Sequence, residues 1–446
     1  MRKSINLLLI ILSFSMLFFT TSCSSHKKLL LLNWGEYINM DLVAEFEELY
    51  DCEVVISLAD SNDLFYSKVK SGTTVYDLVI PSDYMVSKMY KKDLLQPIDY
   101  QKLGFDTYND YLNTFLPGVQ GVINEMESIT PNIKNYFVPY FWGTWGIMYD
   151  KTNDDIVDAI NKNQDNIWRL MFDKNILPED IRIGMYDTSR YVYAATMFYL
   201  NESPNIQSEE MLNKAENILS NKRFTSWATD TLKKDIARGN LDLGFMWTGD
   251  FLDMLYQELK VKSINEITFD ILIPDNTIAF CDSFVITKHA RNVDLAHEFI
   301  KFFLNPDVAY RNASIVGYCT PNLLAYDKIT KYDLSITQDD FVTLLNDNLL
   351  TNLKVNPTNN NSYIVEGNYD NKTFILELDN IKDLDLVIAD EMLDIDPLWL
   401  TNWSYAVNKY YPKYVNNDKG FTGTILSDFP REYIDKINTI CNNAKS

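Results

Sequence analysis

The chain has 446 residues, a length at which a single hydrophobic core usually gives way to two, so we expect two units of α/β size. Hydrophobic residues make up 46% of the sequence, which is enough to bury a core and excludes a disordered chain. The formal net charge is −22, so we expect no nucleic-acid partner and an attraction for cations. Surface acids that keep an exported protein soluble would give the same charge.

The N-terminus is typical of an export signal. A basic start precedes an apolar run at residues 5–19 and the sequence TTSC, which ends at Cys23. The run is short for a membrane span, and TTSC resembles the lipobox of bacterial lipoproteins, with Thr20 where that motif usually has Leu. We therefore predict a lipoprotein signal at 1–23, a lipid on Cys23 and a tether at 24–28. An uncleaved anchor would also place the body of the protein outside the cytoplasmic membrane.

Motifs for common enzyme chemistries are missing from the sequence. There is no GxGxxG, P-loop or GxSxG motif to argue for nucleotide binding or serine hydrolysis. His26, His289 and His297 do not form HExxH, so we expect no metal site and no cofactor. The cysteines form no CxxC pair, which leaves one disulfide as an open question. Carboxylate pairs for glycoside hydrolysis also stay open, because 62 acids offer many pairs.

The first part of the chain alternates strand and helix patterns. Apolar runs predict strands at 29–34, 52–59 and 76–81, and helical spacing predicts helices at 63–70 and 83–95. A βαβαβ order predicts a parallel, doubly wound sheet with helices on both faces. In such sheets, ligands bind beyond the carboxyl ends of the strands. The candidate residues at those ends are Trp34, Glu36, Tyr37, Ser82 and Tyr84.

A second α/β block and a different C-terminal region follow. The predicted strands of this block are 138–150, 181–187, 241–247, 269–274 and 279–287. Residues 358–372 are rich in Asn and lack periodicity, so we expect an exposed insertion or loop there. The aromatic segment 399–414 is expected to pack against the body of the protein.

The mixture of aromatic rings and carboxylates favours an organic cation as ligand. Each cation–π contact contributes about 0.5–2 kcal/mol, and carboxylates fix amines by charge-assisted hydrogen bonds. Methylene spacers packed on the same rings would add roughly 0.8 kcal/mol per buried CH₂. Arginine, which an anion site would need, is scarce near these motifs apart from Arg190. The candidates from the second block are Trp247, Phe280, Asp282 and Tyr318.

Seven sequence blocks occur in the order of a known family. They are NWGEY (33–37), YDLVIPSDYMVSKM (76–89), VPYFWGTWGIMYD (138–150), LDLGFMWTGD (241–250), CDSFVITKHA (281–290), FLNPDVA (303–309) and GYCTPNLLA (317–325). Together they resemble the spermidine/putrescine-binding proteins of bacterial polyamine ABC importers. The resemblance implies a two-lobed, type II periplasmic-binding-protein-like α/β fold with a doubly wound sheet in each lobe. It also implies a monomeric binding protein, not an enzyme, that delivers polyamine to an ABC permease.

The resemblance carries roles over to individual residues. It assigns ligand contacts to Trp34, Glu36, Tyr37, Ser82, Tyr84, Trp247, Asp282 and Tyr318. Phe280 stands where the family usually has an indole, and Asp187 approximately matches an acidic segment whose Glu position is Tyr191 here. The missing carboxylate leaves one amine less well recognised, so the choice between putrescine and spermidine stays open. Asp250 and Asp83 are candidates to compensate.

The same resemblance suggests where the lobes begin and end. The expected divisions are 29–140 for the first part of lobe 1, 141–275 for the first part of lobe 2, 276–320 for the return to lobe 1, and 321–446 for the completion of lobe 2, with an Asn-rich insertion at 355–375. Crossovers near 141–146 and 275–280 would form the hinge. Three alternatives remain: a binder of another solute such as a sugar, a secreted carbohydrate-active enzyme, and an adhesin whose aromatic residues are merely core.

Overall fold

The computed structural model places most of the chain. The residues it describes are 27–259, 261–262, 266–330, 338–357, 363–370, 372–378, 407, 409–412 and 419–446. The predicted export signal and Cys23 lie outside these residues. No helix among the described residues combines the length and apolar character needed to cross a bilayer.

The described residues form thirteen strands. They are β1 (Lys27–Asn33), β2 (Cys52–Leu58), β3 (Leu78–Val79), β4 (Val138–Asp150), β5 (Ile183–Tyr186), β6 (Ser226–Ala228), β7 (Leu243–Trp247), β8 (Phe269–Leu272), β9 (Ile278–Ile286), β10 (Thr351–Pro357), β11 (Tyr363–Tyr369), β12 (Lys372–Leu378) and β13 (Thr424–Ile425). Eight of these thirteen strands match predicted strands, and β6 and β10 to β13 were not predicted.

Helices connect these strands and cover the sheet. They are α1 (Met40–Tyr50), α2 (Asn62–Ser71), α3 (Asp83–Lys91), α4 (Tyr108–Leu112), α5 (Pro117–Ile129), α6 (Asp154–Lys162), α7 (Arg169–Phe172), α8 (Ser189–Tyr199), α9 (Glu209–Ser220), α10 (Thr231–Ala237), α11 (Thr248–Leu259), α12 (Val293–Leu304), α13 (Pro306–Val316), α14 (Leu323–Ile329), α15 (Gln338–Asn346) and α16 (Arg431–Lys445), with a short 3₁₀ turn at Ile133–Asn135.

One ten-stranded sheet runs through the molecule. Its strand order is β2-β1-β3-β9-β4-β7-β5-β6, with β13 paired to β9 and β8 paired to β4. Strand β1 pairs in parallel with β2 and β3, as the βαβαβ order predicts. Strand β9 then runs antiparallel between β3 and β4, and β4 runs antiparallel to β7. The predicted α/β class is confirmed, with antiparallel strands at the centre of the sheet.

Strand β4 belongs to both halves of this sheet. Its residues Val138–Thr144 pair with β9, whereas Trp145–Asp150 pair with β7 and β8. The change of partner falls inside the predicted crossover at 141–146. Gly143 is required at this point, because a Cβ there would lie 2.8 Å from the ring of Phe280.

The Asn-rich C-terminal region forms a β-strand where a loop was predicted. Residues 363–369 form β11, which pairs antiparallel with β10 and β12 in a separate three-stranded sheet. The prediction was wrong because Asn residues obscured a period-two pattern in β11, where Val365 and Gly367 are buried and Glu366 and Asn368 between and beyond them are half-buried. The small core of this sheet contains Phe341, Val355, Val365, Phe374, Leu376 and Leu378. Residues 358–362 lie outside the described residues.

Two further expectations concern packing. Of the aromatic segment 399–414, the described residues Val407, Tyr410 and Tyr411 are buried in the main core, so packing against the body is confirmed for them. The open disulfide does not form within the described part of the chain. Its cysteines are buried free thiols at positions Cys52, Cys281, Cys319 and Cys441.

Candidate functional site

A cavity of about 370 Å³ opens where the strand ends of the two halves of the sheet face each other. The predicted residues that line it are Trp34, Glu36, Tyr37, Ser82, Tyr84, Trp247, Phe280, Asp282 and Tyr318. Positions from all parts of the chain thus meet in one place. Asp187 is the one predicted site residue that does not line the cavity.

Asp187, for which a ligand contact was predicted, lies outside the lining of the cavity. Its carboxylate forms an ion pair with Lys445 in the last turn of α16. Its neighbours Tyr186 and Thr188 line the cavity instead. Side chains alternate in direction along extended backbone, so the end of β5 and the residues after it direct Tyr186 and Thr188 inward and Asp187 away.

The segment after β1 builds one wall of the cavity. The indole Nε1–H of Trp34 donates a 2.8 Å hydrogen bond to the carbonyl of Ile80, and its ring packs on Phe65 at a centroid distance of 4.6 Å. These contacts hold the indole in a fixed orientation. Glu36 follows in a turn with a φ of 51° and is exposed at the edge of the cavity. An exposed carboxylate there is available to a solvated ammonium group.

Asp282 is the buried carboxylate of the site. The hydroxyl of Tyr37 donates a 2.7 Å hydrogen bond to its Oδ2, whereas its buried Oδ1 accepts no hydrogen bond from the described residues. Burial raises the pKa of Asp282 to about 6, although the neighbouring hydroxyl groups of Ser82 and Tyr37 act in the opposite direction. The carboxylate is therefore only partly satisfied by the protein and retains acceptor capacity for a donor.

Asp83 lies behind this carboxylate and does not line the cavity. Its Oδ2 accepts the backbone N–H of Cys281 at 2.9 Å, and its Oδ1 accepts the N–H of Tyr84 at 2.7 Å. Burial raises the pKa of Asp83 to about 7, with the Cys281 hydrogen bond opposing the shift and the Asp282 charge adding to it. The geometry assigns Asp83 to holding β9 against α3, not to compensating for a missing ligand carboxylate.

Aromatic rings form the opposite wall and hold one another edge to face. Trp247 lies 4.9 Å from Phe280 and 5.1 Å from Tyr191 between ring centroids, and its Nε1–H donates to the Tyr186 hydroxyl at 3.3 Å. Tyr318 contacts Tyr37 at 4.8 Å. This arrangement fixes the ring orientations without a ligand, so the aromatic wall is already formed.

The charges around the cavity are mostly negative. The carboxylates that line it are Glu36, Asp60, Asp230, Asp250, Asp253 and Asp282, and the ammonium groups are Lys233 and Lys234. Lys233 is buried and donates to Asp250 Oδ1 at 3.0 Å and to Asp253 Oδ2 at 2.9 Å. The cavity thus favours a cationic ligand by its net charge.

Sequence reasoning missed several lining residues. Asp253 could have been found, because it lies three residues after Asp250 and shares its helix face. Tyr186 could also have been found, because it ends a predicted strand. Lys233 and Asp230 carry no motif, and only the packing of α10 against α11 brings them to the cavity.

Comparison with known proteins identifies the relatives of the chain. Residues 41–337 match the family described as bacterial extracellular solute-binding protein. The putrescine-binding periplasmic protein PotF of Escherichia coli (strain K12) is 26% identical over 318 residues, which cover 68% of this chain and 80% of that protein. The family match ends before β10, so the three-stranded sheet lies outside it.

Solved structures agree with the fold. A putative spermidine/putrescine ABC transporter protein from Listeria monocytogenes is 30% identical, with a TM-score of 0.56, over 67% of this chain and 84% of that chain. The TpPotD lipoprotein of Treponema pallidum is 27% identical, with a TM-score of 0.55, over 67% of this chain and 88% of that chain. The expected two-lobed, type II periplasmic-binding-protein fold is confirmed.

Proposed function

Because the chain belongs to the bacterial extracellular solute-binding protein family, we propose that it captures a linear polyamine outside the cell and delivers it to an ABC permease. The resemblance to spermidine/putrescine-binding proteins is confirmed by relatives named for these ligands. The observation that carries the ligand assignment is the buried Asp282, whose Oδ1 accepts no hydrogen bond from the described residues, beside a wall of aromatic rings. A primary ammonium group supplies the missing donors and the missing positive charge.

The cavity matches an alkylammonium chain in shape and chemistry. One ammonium group would bind Asp282, and the methylenes would lie along the rings of Trp34, Trp247 and Tyr318. A second ammonium group would lie toward the exposed Glu36 and Asp230 at the cavity edge. Each ammonium group of the ligand is then neutralised by the carboxylates that it contacts.

A neutral sugar fits the same cavity less well. Aromatic rings stack on sugars too, but a sugar offers no positive charge for a buried carboxylate that the protein leaves partly unsatisfied. The excess of carboxylates around the cavity supports the cationic ligand for the same reason.

The remaining parts of the proposal concern placement and motion. Cys23 carries a lipid that anchors the protein at the extracellular face of the cytoplasmic membrane, and the protein acts as a monomer without chemical conversion of its ligand. The TpPotD relative, whose name includes the word lipoprotein, supports the anchor. The lobes are divided at 140/141, 275/276 and 320/321, and they close around the ligand. The change of the pairing partner of β4 between residues 144 and 145 supports a hinge near the first division.

Isothermal titration calorimetry of the full chain tests the ligand class. We expect saturable binding of putrescine or spermidine, and no binding of 1,4-butanediol, which has the putrescine carbon chain without its charges. Asp282→Asn should weaken binding at least tenfold, whereas Asp294→Asn, which removes a surface acid paired with Lys102, should leave it unchanged. Binding of butanediol or glucose with no response to polyamines would overturn the proposal.

The lipid anchor needs its own test. Growth with an alkyne fatty acid should label the protein, and Cys23→Ala should abolish the label. Cys52→Ala, which removes a buried cysteine of β2, is the matched control and should retain the label. Labelling that survives in Cys23→Ala would contradict the proposed anchor.

A further inference from the structure

Lys233 is a buried cation that the proposed binding mode does not use. It lies in α10, and its side chain is 7% exposed. Its ammonium group donates to both Asp250 and Asp253 of α11, and all three residues line the cavity. Burial alone would lower the pKa of Lys233, but the charges of the two aspartates outweigh burial and raise it. Lys233 is therefore fully charged at neutral pH.

A lysine side chain has the chemistry of the end of a polyamine. It is four methylenes that end in a primary ammonium group, and such a group prefers the same carboxylates as the ligand. Asp250 is buried and Asp253 is half-buried, and two such neighbouring carboxylates without a cation would be costly, so the pair Asp250/Asp253 requires a positive charge. Lys233 supplies that charge from within the protein.

The aspartates held by Lys233 lie beside the same rings as Asp282. After burial, the charge of Asp250 is the largest contribution to the raised pKa of both Tyr186 and Tyr318, and Asp282 contributes to both as well. The ring of Tyr318 also lies directly against Gly249, next to Asp250. The two acidic positions therefore flank one aromatic chamber.

We infer that Lys233 acts as a built-in ammonium group that occupies Asp250 and Asp253 and so restricts the ligand to a diamine. This inference rests on the proposed function. With those acids neutralised, Asp282 is the only buried carboxylate among the described lining residues that has no lysine partner. A diamine places one ammonium group there and the other at the exposed acids. The additional ammonium group of a triamine would meet Lys233 instead of a free carboxylate, at a cost of like-charge repulsion.

The test compares putrescine and spermidine by calorimetry on the full chain. The parent protein should bind putrescine more tightly than spermidine. Lys233→Met keeps most of the apolar length of the side chain and removes its charge, so it should shift the ratio of the two dissociation constants toward spermidine by about tenfold. Lys162→Met, which removes an exposed lysine paired with Asp158 outside the cavity, changes the net charge equally and should leave that ratio within about twofold.

A double variant keeps the test decisive. Lys233→Met/Asp253→Asn leaves a single uncovered carboxylate, so it provides a folded comparison if the single variant unfolds, and it should shift the ratio in the same direction. A parent that prefers spermidine, or a folded variant that binds putrescine with an unchanged ratio, would overturn the role of Lys233 while the proposed function stands. A parent that binds no polyamine would overturn both.

Discussion

The hydroxyl of Tyr37 and the carboxylate of Asp282 are 245 residues apart in the chain and meet in a 2.7 Å hydrogen bond. Tyr37 is anchored in turn, because its carbonyl accepts the hydroxyl of Tyr140 at 2.8 Å. The bond stabilises the ionised form of Asp282 against the effect of burial. It therefore ties the turn after β1 to the charge state of the carboxylate proposed to bind the ligand.

Tyr37→Phe should raise the pKa of Asp282 above about 6 and weaken polyamine binding in a pH-dependent way. A lost hydrogen bond to a charged group contributes about 1.5–3 kcal/mol, so we expect at least a tenfold loss at pH 6.5 and a smaller one at pH 8. Calorimetric titration at both pH values measures this. Tyr50→Phe removes a hydroxyl that donates to Glu298 outside the cavity, and it should leave the polyamine affinity unchanged at both pH values. An equal loss at both pH values would contradict the role of the hydrogen bond.

Asp282→Asn should stabilise the unliganded protein at pH 7.5 even though it weakens binding. The folded-state pKa of Asp282 is raised to about 6, above its ordinary value, so ionisation of this group opposes folding as pH rises through that range. Removing the charge should raise the free energy of unfolding by about 1–3 kcal/mol at pH 7.5. The difference should shrink as pH falls toward 4, where the parent carboxyl is protonated.

Urea unfolding of parent and variant at pH 4.5, 6 and 7.5, without polyamine, checks this trend. The variant Asp294→Asn provides the opposite case, because the pKa of Asp294 is lowered by Lys102, and its loss should not stabilise the protein at any of these pH values. A variant of Asp282 that is less stable than the parent at pH 7.5 would show that the hydrogen bond from Tyr37 outweighs the desolvation of the carboxylate.

Gly249→Ala should displace Tyr318 from the cavity wall. A Cβ at position 249 would overlap the Tyr318 ring, and the ring has no room to stay in place. We expect at least a tenfold loss of polyamine affinity with the fold retained, because one wall of the cavity changes shape. Gly35→Ala is the matched control at the cavity edge, since nothing lies within 4 Å of a Cβ there. Calorimetry measures both, and equal affinities for the two variants would exclude Tyr318 from the site.

Asp187→Asn should leave polyamine affinity within about twofold of the parent value. The carboxylate pairs with Lys445 at a partly exposed position, and a surface ion pair of this kind contributes little to stability. Calorimetry and a thermal unfolding curve check both statements. A large loss of affinity would show that Asp187 reaches the ligand in the liganded protein, as the sequence predicted.

Phe374→Ala should unfold the three-stranded sheet without affecting the cavity. Phe374 is fully buried in the small core shared by β10, β11 and β12, and truncation of a buried phenylalanine costs about 3–5 kcal/mol. Hydrogen exchange should increase in residues 351–357 and 363–369, whereas polyamine affinity should stay unchanged. Lys354→Ala, at an exposed position of β10, should leave exchange nearly unchanged. A weaker affinity in Phe374→Ala would link this sheet to ligand capture.

Much of the fold and the site could be predicted because the relevant signals are local. Apolar runs predicted the strands β1 to β5 and β7 to β9, and helical spacing predicted α2 and α3. Residues just after strand ends, such as Trp34 and Ser82, reach the cavity by sheet geometry alone. Lys233 could not be found in this way, because its ion pairs depend on how α10 packs on α11. The direction of the Asp187 side chain could not be predicted, because it depends on the residue at which β5 ends. A shift of that end by one residue turns the side chain to the opposite face. In β11, the Asn residues obscured the alternation of inward-facing and outward-facing residues, which becomes evident only when the strand is paired with its neighbours.

The shared strand β4 has a mechanical consequence. Because its ladder passes from β9 to β7 and β8 without a break in the strand, a rotation of one half of the sheet against the other must twist β4 itself. The twist between adjacent strands differs by tens of degrees among sheets, so a strand tolerates some change of twist. The energy needed to twist β4 would therefore favour one angle between the two halves of the sheet. Ligand binding that rotates the two halves would have to supply this twisting energy. Substitutions of β4 residues that never touch a ligand would therefore change the ligand affinity.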